Sequence, residues 1–347
     1  MHNYMTVRTK SNKISFQISK KVVLVIVLLS ILLCGMIMLA LSVGSDFIHP
    51  ATVLNELFGY GTGEYLFTIQ TLRLPRVLLA LLVGMALAIS GLILQGLIRN
   101  PLAAPDIIGV TSGASVGAMI FLVYFGTVSI HYLPLAAIIG GGIVSSIIYL
   151  LSWKKGVTPI RIVLIGIGIS ALMKGIVTML IVTGEEIRTT RAYIWLTGSL
   201  YGANMQDVYL LLPWVVILIL LTFVMARVIN VKELGDDIAL GVGVRVQVYR
   251  LLFLLISVML AGSAVAFVGG IAFVGLVAPH ISRMLVGRSF AALIPISAIV
   301  GSIIVIFADI IGRTAFLPKD LPAGVFTAAI GAPFFIYLLF RTRNHSA

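Results

Sequence analysis

Uncharged apolar stretches of about the length of a bilayer-spanning helix alternate along this chain with short polar connections. The pattern predicts spans near 22–43, 77–98, 107–126, 132–153, 162–183, 208–228, 251–270, 271–286 (short), 293–312 and 322–340. Residues 1–21 form a basic tail with five cations and no acid, 22–340 a transmembrane domain, and 341–347 a short C-terminal tail. The run Val22–Val43 is longer than a signal-peptide core and has no small-residue cleavage site, so it reads as a retained first helix.

Composition removes the soluble alternatives. Of 347 residues, 60% are hydrophobic and 10% charged, against about 45–50% and about 25% in soluble domains. A net charge of +12 would suggest nucleic acid in a soluble protein. Here the cations flank spans, and no nucleic-acid partner is expected. Ten spans place both termini on one side. That side would hold Arg8, Lys10, Lys13, Lys20, Lys21, Arg99, Lys154, Lys155, Arg161, Arg227, Lys232, Arg245, Arg250, Arg283, Arg288, Arg341 and Arg343. The other would hold Arg73, Arg76, Arg188, Arg191, Arg313 and Lys319. The asymmetry makes the first side, with both termini, cytoplasmic. The single Cys34 forms no intramolecular disulfide, and the five scattered histidines suggest no metal site.

Small residues align within spans. Gly84, Ala88 and Gly91 share a helical face, as do Gly140 and Val144 beside Gly141 and Ser145, which predicts close helix packing. Two proline-bearing segments break the pattern: Arg99–Pro105 between spans two and three, and Val277–His280 in the short span eight. Irregular backbone at membrane depth is buried in protein or lines a cavity. Its recurrence in both halves points to inverted repeats around a transport path; simple tight turns are the bland alternative.

Four sets of residues carry candidate chemistry. Lys174 lies deep in span five, where an ammonium costs at least about 2.5–3.5 kcal/mol. It either faces a wet translocation path or is a buried, internally paired lysine. Asp309 is the other membrane-embedded ionisable candidate. Arg73, Arg76 and Arg313 lie on the outer side, either snorkelling or offering bidentate forks to acidic residues of a soluble partner. Residues 229–247 read as two short cytoplasmic helices joined by glycine turns. Exposed Leu234, Ile238 and Leu240 make them a partner site or an amphipathic segment on membrane lipid. No G-x-x-x-x-G-K-[ST] loop occurs, so the chain carries no P-loop, and no soluble catalytic domain is present.

The motifs, taken in order, resemble the FecCD-type permease family. Leu72-Arg73-Leu74-Pro75-Arg76, Gly84–Gly91 and Gln95 match the start of its core. Asn100–Pro105, Gly109–Ala114 and Trp195–Leu200 continue it. Phe273–Arg283, Ala308-Asp309 with Arg313, Leu321–Gly324 and Gly331–Phe335 complete it. The resemblance covers about 66–340 and implies an all-α integral membrane fold, a BtuC-like bundle of about ten transmembrane helices. It implies the permease subunit of an ABC importer in the cytoplasmic membrane. The cargo would be a ferric siderophore, with haem or cobalamin as alternatives. It also implies a second permease (the same chain or a paralogue), an extracytoplasmic binding protein, and two ATPase subunits that bind ATP-Mg. This chain would itself be no enzyme and carry no cofactor. By this likeness Arg73, Arg76 and Arg313 dock the binding protein. Asn100 and Leu102 form one cytoplasmic gate and Thr158 and Pro159 the other, where the sequence departs from the small hydroxyl residues of the cobalamin importer. Leu234, Gly235, Asp236, Asp237, Ala239, Leu240 and Gly241 couple to the ATPase. Lys174 lies outside the motifs. An ion-coupled secondary transporter is the rival reading.

Overall fold

In the computed structural model, residues 4–8, 15–125, 128–154 and 156–343 are described. Ten helices correspond to the ten expected spans. They are α1 (Lys20–Ser42), α3 (Leu74–Ile98), α4 (Val110–Tyr124), α5 (Leu133–Leu151), α6 (Pro159–Thr183), α8 (Met205–Val224), α11 (Val246–Val268), α12 (Val274–Val286), α13 (Phe290–Thr314) and α14 (Ala323–Arg343). Seven have the length and apolarity to cross a membrane, counting the π-helical turn Thr68–Arg73 that leads into α3, and three are shorter apolar helices. The other four lie in the connections: α2 (Pro50–Leu57), α7 (Glu186–Leu196), α9 (Ala226–Glu233) and α10 (Asp236–Gly241). Strands β1 (Tyr4–Arg8) and β2 (Ser15–Ser19) pair antiparallel within the N-terminal tail. The rest of that tail's basic cluster between them, Lys155, and residues 344–347 lie outside the described residues.

The buried core centres on α3, the most enclosed of the long helices. Its small-residue face is what lets its neighbours approach. A Cβ on Gly84 would sit 2.5 Å from the Gly301 carbonyl of α13, and one on Gly91 would collide with Gly275 of α12. In the same way, a Cβ on Gly113 of α4 would lie 2.6 Å from the Gly140 carbonyl of α5. With lipid on one side and side chains on the other, only such van der Waals fit and interhelical hydrogen bonds favour association. Such bonds join the core, among them Ser90 Oγ to Ser257 at 2.8 Å between α3 and α11, and Ser302 Oγ to the Leu81 carbonyl at 2.8 Å between α13 and α3. By contrast α1, α6 and α8 leave most of their apolar surface uncovered, including Leu164, Ile167, Leu172 and Met179 on α6.

The second chain break falls earlier than the sequence pattern places it. Pro279 lies inside continuous α12, and the irregular backbone is at residues 269–273. Gly269 has φ +73°, and Phe273 adopts the left-handed conformation at φ 67°, a state costing a non-glycine residue about 1–2 kcal/mol. Pro279 is tolerated because the carbonyl it cannot serve, Gly275 O, accepts from Gln95 Nε2 of α3 at 3.4 Å, alongside Leu276 O at 3.3 Å.

Candidate functional site

The first break is built from turn chemistry. Arg99 closes α3 in the left-handed region at φ 56°. The Asn100 Oδ1 accepts the Leu102 amide at 2.9 Å, and the Asn100 carbonyl accepts the Ala103 amide at 3.1 Å. Side-chain capping of this kind replaces the helical bonds that Pro101 and Pro105 cannot make. A single 3₁₀ turn, Pro105–Ile108, follows, and Gly109 at φ +72° redirects the chain into α4. A Cβ at Gly109 would also strike Ile148, so both conformation and space call for glycine there.

This route presents Asp106 to a cavity of about 560 Å³. Thr111 Oγ1 of α4 donates to Asp106 Oδ1 at 2.6 Å. On α6, Ser170 Oγ reaches the Asp106 carbonyl at 3.4 Å and accepts from Ser112 Oγ of α4 at 3.3 Å. One helical turn beyond Ser170 stands Lys174, on the same face and lining the same cavity. Gly270 and Ala272, from the second break, also line it. The two irregular segments thus meet around one polar chamber, the arrangement that non-helical backbone at membrane depth requires. A cavity of this size suits a bulky small molecule.

At one end of the bundle, Asn100 and Pro101 face Pro159 and Ile160 across a hollow of about 390 Å³. The two expected gate segments are therefore neighbours, although Leu102 and Thr158 do not line the hollow. The same end carries α9 and α10, with Gly235 at φ +130° between them. Leu234, Ile238 and Leu240 are exposed, Ala239 is buried, and Asp237 and Gly241 lie at the surface. Asp236 accepts from Arg250 at 2.5 Å, and the same guanidinium donates to the Val157 carbonyl. Gln247 Oε1 accepts the Val157 amide at 3.2 Å. One buried arginine on α11 therefore ties α10 to the residue before Thr158 and Pro159.

At the opposite end the three expected docking arginines are internally engaged. Arg73 is 5% exposed and donates to the Leu41 and Ser42 carbonyls at the C-terminus of α1, at 2.8 Å, where no intrahelical amide remains to serve them, and to the Asp46 carbonyl beyond it at 2.7 Å. Arg76 grips Asp320 bidentately, at 2.5 and 2.9 Å, and reaches Asp309 at 2.8 Å. Arg313, 7% exposed, lies 3.6 Å from Asp309 and donates to Ala40. The sequence pattern shows arginines placed against the charge rule; the structure gives each a structural partner. Asp309 is likewise occupied by this ion network. Among the described residues, the embedded ionisable groups lining this cavity are Lys174 and Asp106, the latter beyond the two candidates that hydropathy picked out.

Asp106 escaped the sequence reading because a Pro-Asp pair beside a span reads as a turn. Arg250 escaped because a cation in the first turns of a span reads as a flanking charge. The hydroxyls of Thr111, Ser112 and Ser170 gave no signal separable from packing.

Known proteins place this arrangement in context. The chain matches the FecCD transport family over residues 27–341. It is 46% identical over 331 residues to the probable siderophore transport system permease protein YfhA of Bacillus subtilis, covering 94% of this chain and 96% of that one. It is 45% identical over 336 residues to the achromobactin transport system permease protein CbrC of Dickeya dadantii, with 96% of each covered. A solved structure described as an inward-facing conformation of a putative metal-chelate type ABC transporter superposes with a TM-score of 0.81 at 29% identity, covering 92% of this chain and 99% of that one. From ten apolar helices, two chain breaks meeting at a polar chamber, and a family match along nearly its whole length, this multi-pass membrane chain belongs to the FecCD transport family.

Proposed function

We propose that this chain is the permease subunit of an ABC importer that carries a ferric siderophore across the cytoplasmic membrane. The observation that carries the reading is the convergence of both broken segments on a polar chamber holding Lys174. Its close relatives by name are siderophore permeases. Transport proceeds by alternating access. A loaded extracytoplasmic binding protein docks at the end bearing Arg73, Arg76 and Arg313. Because Asp320 is partly exposed, a carboxylate from that protein gains Arg76 by exchange with Asp320.

The translocation path runs past Lys174 and is completed by a second permease, a copy of this chain or a paralogue. The uncovered apolar faces of α1, α6 and α8 meet lipid or that partner. Two cytoplasmic ATPases bind ATP-Mg and receive the exposed Leu234, Ile238 and Leu240 in a cleft. Their closure moves α10 together with the loop before Pro159 through Arg250. Both termini are then cytoplasmic, in accord with the charge asymmetry.

The test is uptake of iron-55 siderophores by cells with and without this chain, each with and without ATP depletion. Loss of one ferric chelate, dependent on both, is the expected result. Chain-dependent uptake that survives ATP depletion and collapses with an ionophore would return the ion-coupled reading. Chain-dependent uptake of haem or cobalamin alone would replace the cargo.

A further inference from the structure

We infer that Lys174 and Asp106 form a charge-compensated selectivity site that favours anionic, carboxylate-bearing ferric chelates over neutral ones. The inference rests on the importer reading above and specifies the cargo class that its path selects.

The chamber presents one cation and one anion to the same open volume. Asp106 is held from one side by Thr111 Oγ1 at 2.6 Å, which fixes the carboxylate and leaves Lys174 the group able to turn toward an incoming ligand. The Lys174 stem is long and rotatable, and its ammonium is a compact point charge with three donors. Ser112 and Ser170 add hydroxyls that donate to or accept from chelate oxygens without a net charge of their own. A neutral ligand entering here finds one positive and one negative charge that already balance and gains nothing from Lys174. An anionic ligand takes over Lys174 as its partner and is simultaneously repelled by Asp106. That combination suits a transport site, which must bind well enough to admit cargo and weakly enough to release it. Lys174 opens into this volume and is not enclosed in protein, which is why a lysine is tolerated there.

Two probes separate charge from size and metal. Ferric citrate complexes are anionic and carboxylate-bearing. A ferric trihydroxamate is neutral, because three hydroxamates balance the metal charge. Uptake of both is measured in vesicles containing the complete importer, for the native chain, Lys174→Met, Lys174→Arg and Asp106→Asn. Membrane abundance of each variant is checked by immunoblot. Lys174→Met should raise KM for ferric citrate roughly tenfold, the ratio that corresponds to about 1.4 kcal/mol, and leave the trihydroxamate within about twofold. Lys174→Arg should retain citrate uptake, since charge and not shape is required. Asp106→Asn should lower both KM and maximal rate for ferric citrate, because release slows when the competing carboxylate is gone.

Equal effects of Lys174→Met on both chelates, or failure of Lys174→Arg to preserve citrate uptake, would overturn the site as a charge filter and leave it a packing position. Native uptake of the trihydroxamate alone would overturn it as well. Native uptake of neither chelate, with haem or cobalamin carried instead, would overturn the ferric-chelate reading itself and this inference with it.

Discussion

Replacing Arg250 with leucine should uncouple α9 and α10, the proposed ATPase-facing helices, from the proposed gate loop while leaving the bundle folded. Arg250 is 2% exposed and bridges two elements with one side chain. Its bond to Asp236 is charge-assisted at 2.5 Å, but Asp236 is 33% exposed, so solvent screening places that contact toward the low end of the about 1.5–3 kcal/mol such bonds contribute. Its donation to the buried Val157 carbonyl has no such discount, and losing it leaves that acceptor short of a partner. Together the two amount to about 3 kcal/mol, enough to change the ratio of attached to detached α10 by roughly a hundredfold. Leucine keeps an apolar side chain at this buried position, so the change falls on the link and not on the core. The assay is paired: ATP hydrolysis and ferric-chelate uptake in the same liposomes, with hydrogen exchange followed at 157–158 and 236–241. Hydrolysis should persist, uptake per ATP should fall at least tenfold, and exchange should rise at both segments. Arg250→Lys, a point charge without the fork, should lie between. Faster exchange with unchanged uptake per ATP would show that the bridge does not transmit motion. Unchanged exchange would show that the two bonds do not carry the energy assigned to them.

Other consequences are more local. Lys232 is buried 6.0 Å from the Phe253 ring, and burial, reinforced by Arg250 and Arg99 against the pull of Asp236, lowers its pKa to about 8. Between about 8 and the ordinary lysine value the unfolded chain holds a proton that the folded chain lacks, so stability rises with pH across that window, and below it the full cost of the buried charge is present. Thermal unfolding in detergent should therefore show the native chain gaining stability toward about pH 10, whereas Lys232→Met is flat and more stable at neutral pH; a flat native profile would refute the assignment. Gln95→Leu leaves the Gly275 carbonyl without the donor that replaces the missing Pro279 amide and takes the Oε1 acceptor from Arg283, and should cost about 2–3 kcal/mol, most of it from the charge-assisted bond. Asp309→Asn removes the shared anion of Arg76 and Arg313 and should cost about 3–5 kcal/mol, measured as loss of folded protein, whereas Asp320→Asn, at a partly exposed site, should cost about 1 kcal/mol or less.

The elements follow from hydropathy because in lipid the backbone must satisfy itself, which makes a long apolar run a helix almost regardless of detail. Small-residue faces were legible for the same reason: close approach in lipid needs glycine or alanine, and Gly84, Gly91 and Gly140 stand where helices touch. What hydropathy could not resolve was which partner each charge would find. Arg73, Arg76 and Arg313 look alike in sequence, yet one caps α1, one holds two aspartates, and one shares Asp309, across separations of up to 273 positions. The position of the second break was missed because Pro279 is the louder local signal. A proline interrupts a helix only if nothing else serves the orphaned carbonyl, and Gln95, 180 positions away, serves it. Phe273 carries the actual bend, and no propensity predicts a phenylalanine at positive φ. The chamber follows the same logic. Lys174 was visible because one embedded charge is costly in any context, but Asp106 becomes its counterpart only after the 99–109 turn delivers it there. An expensive group marks where a site must be; the long-range fold decides what shares it, and so whether a buried cation is a strut or a selector.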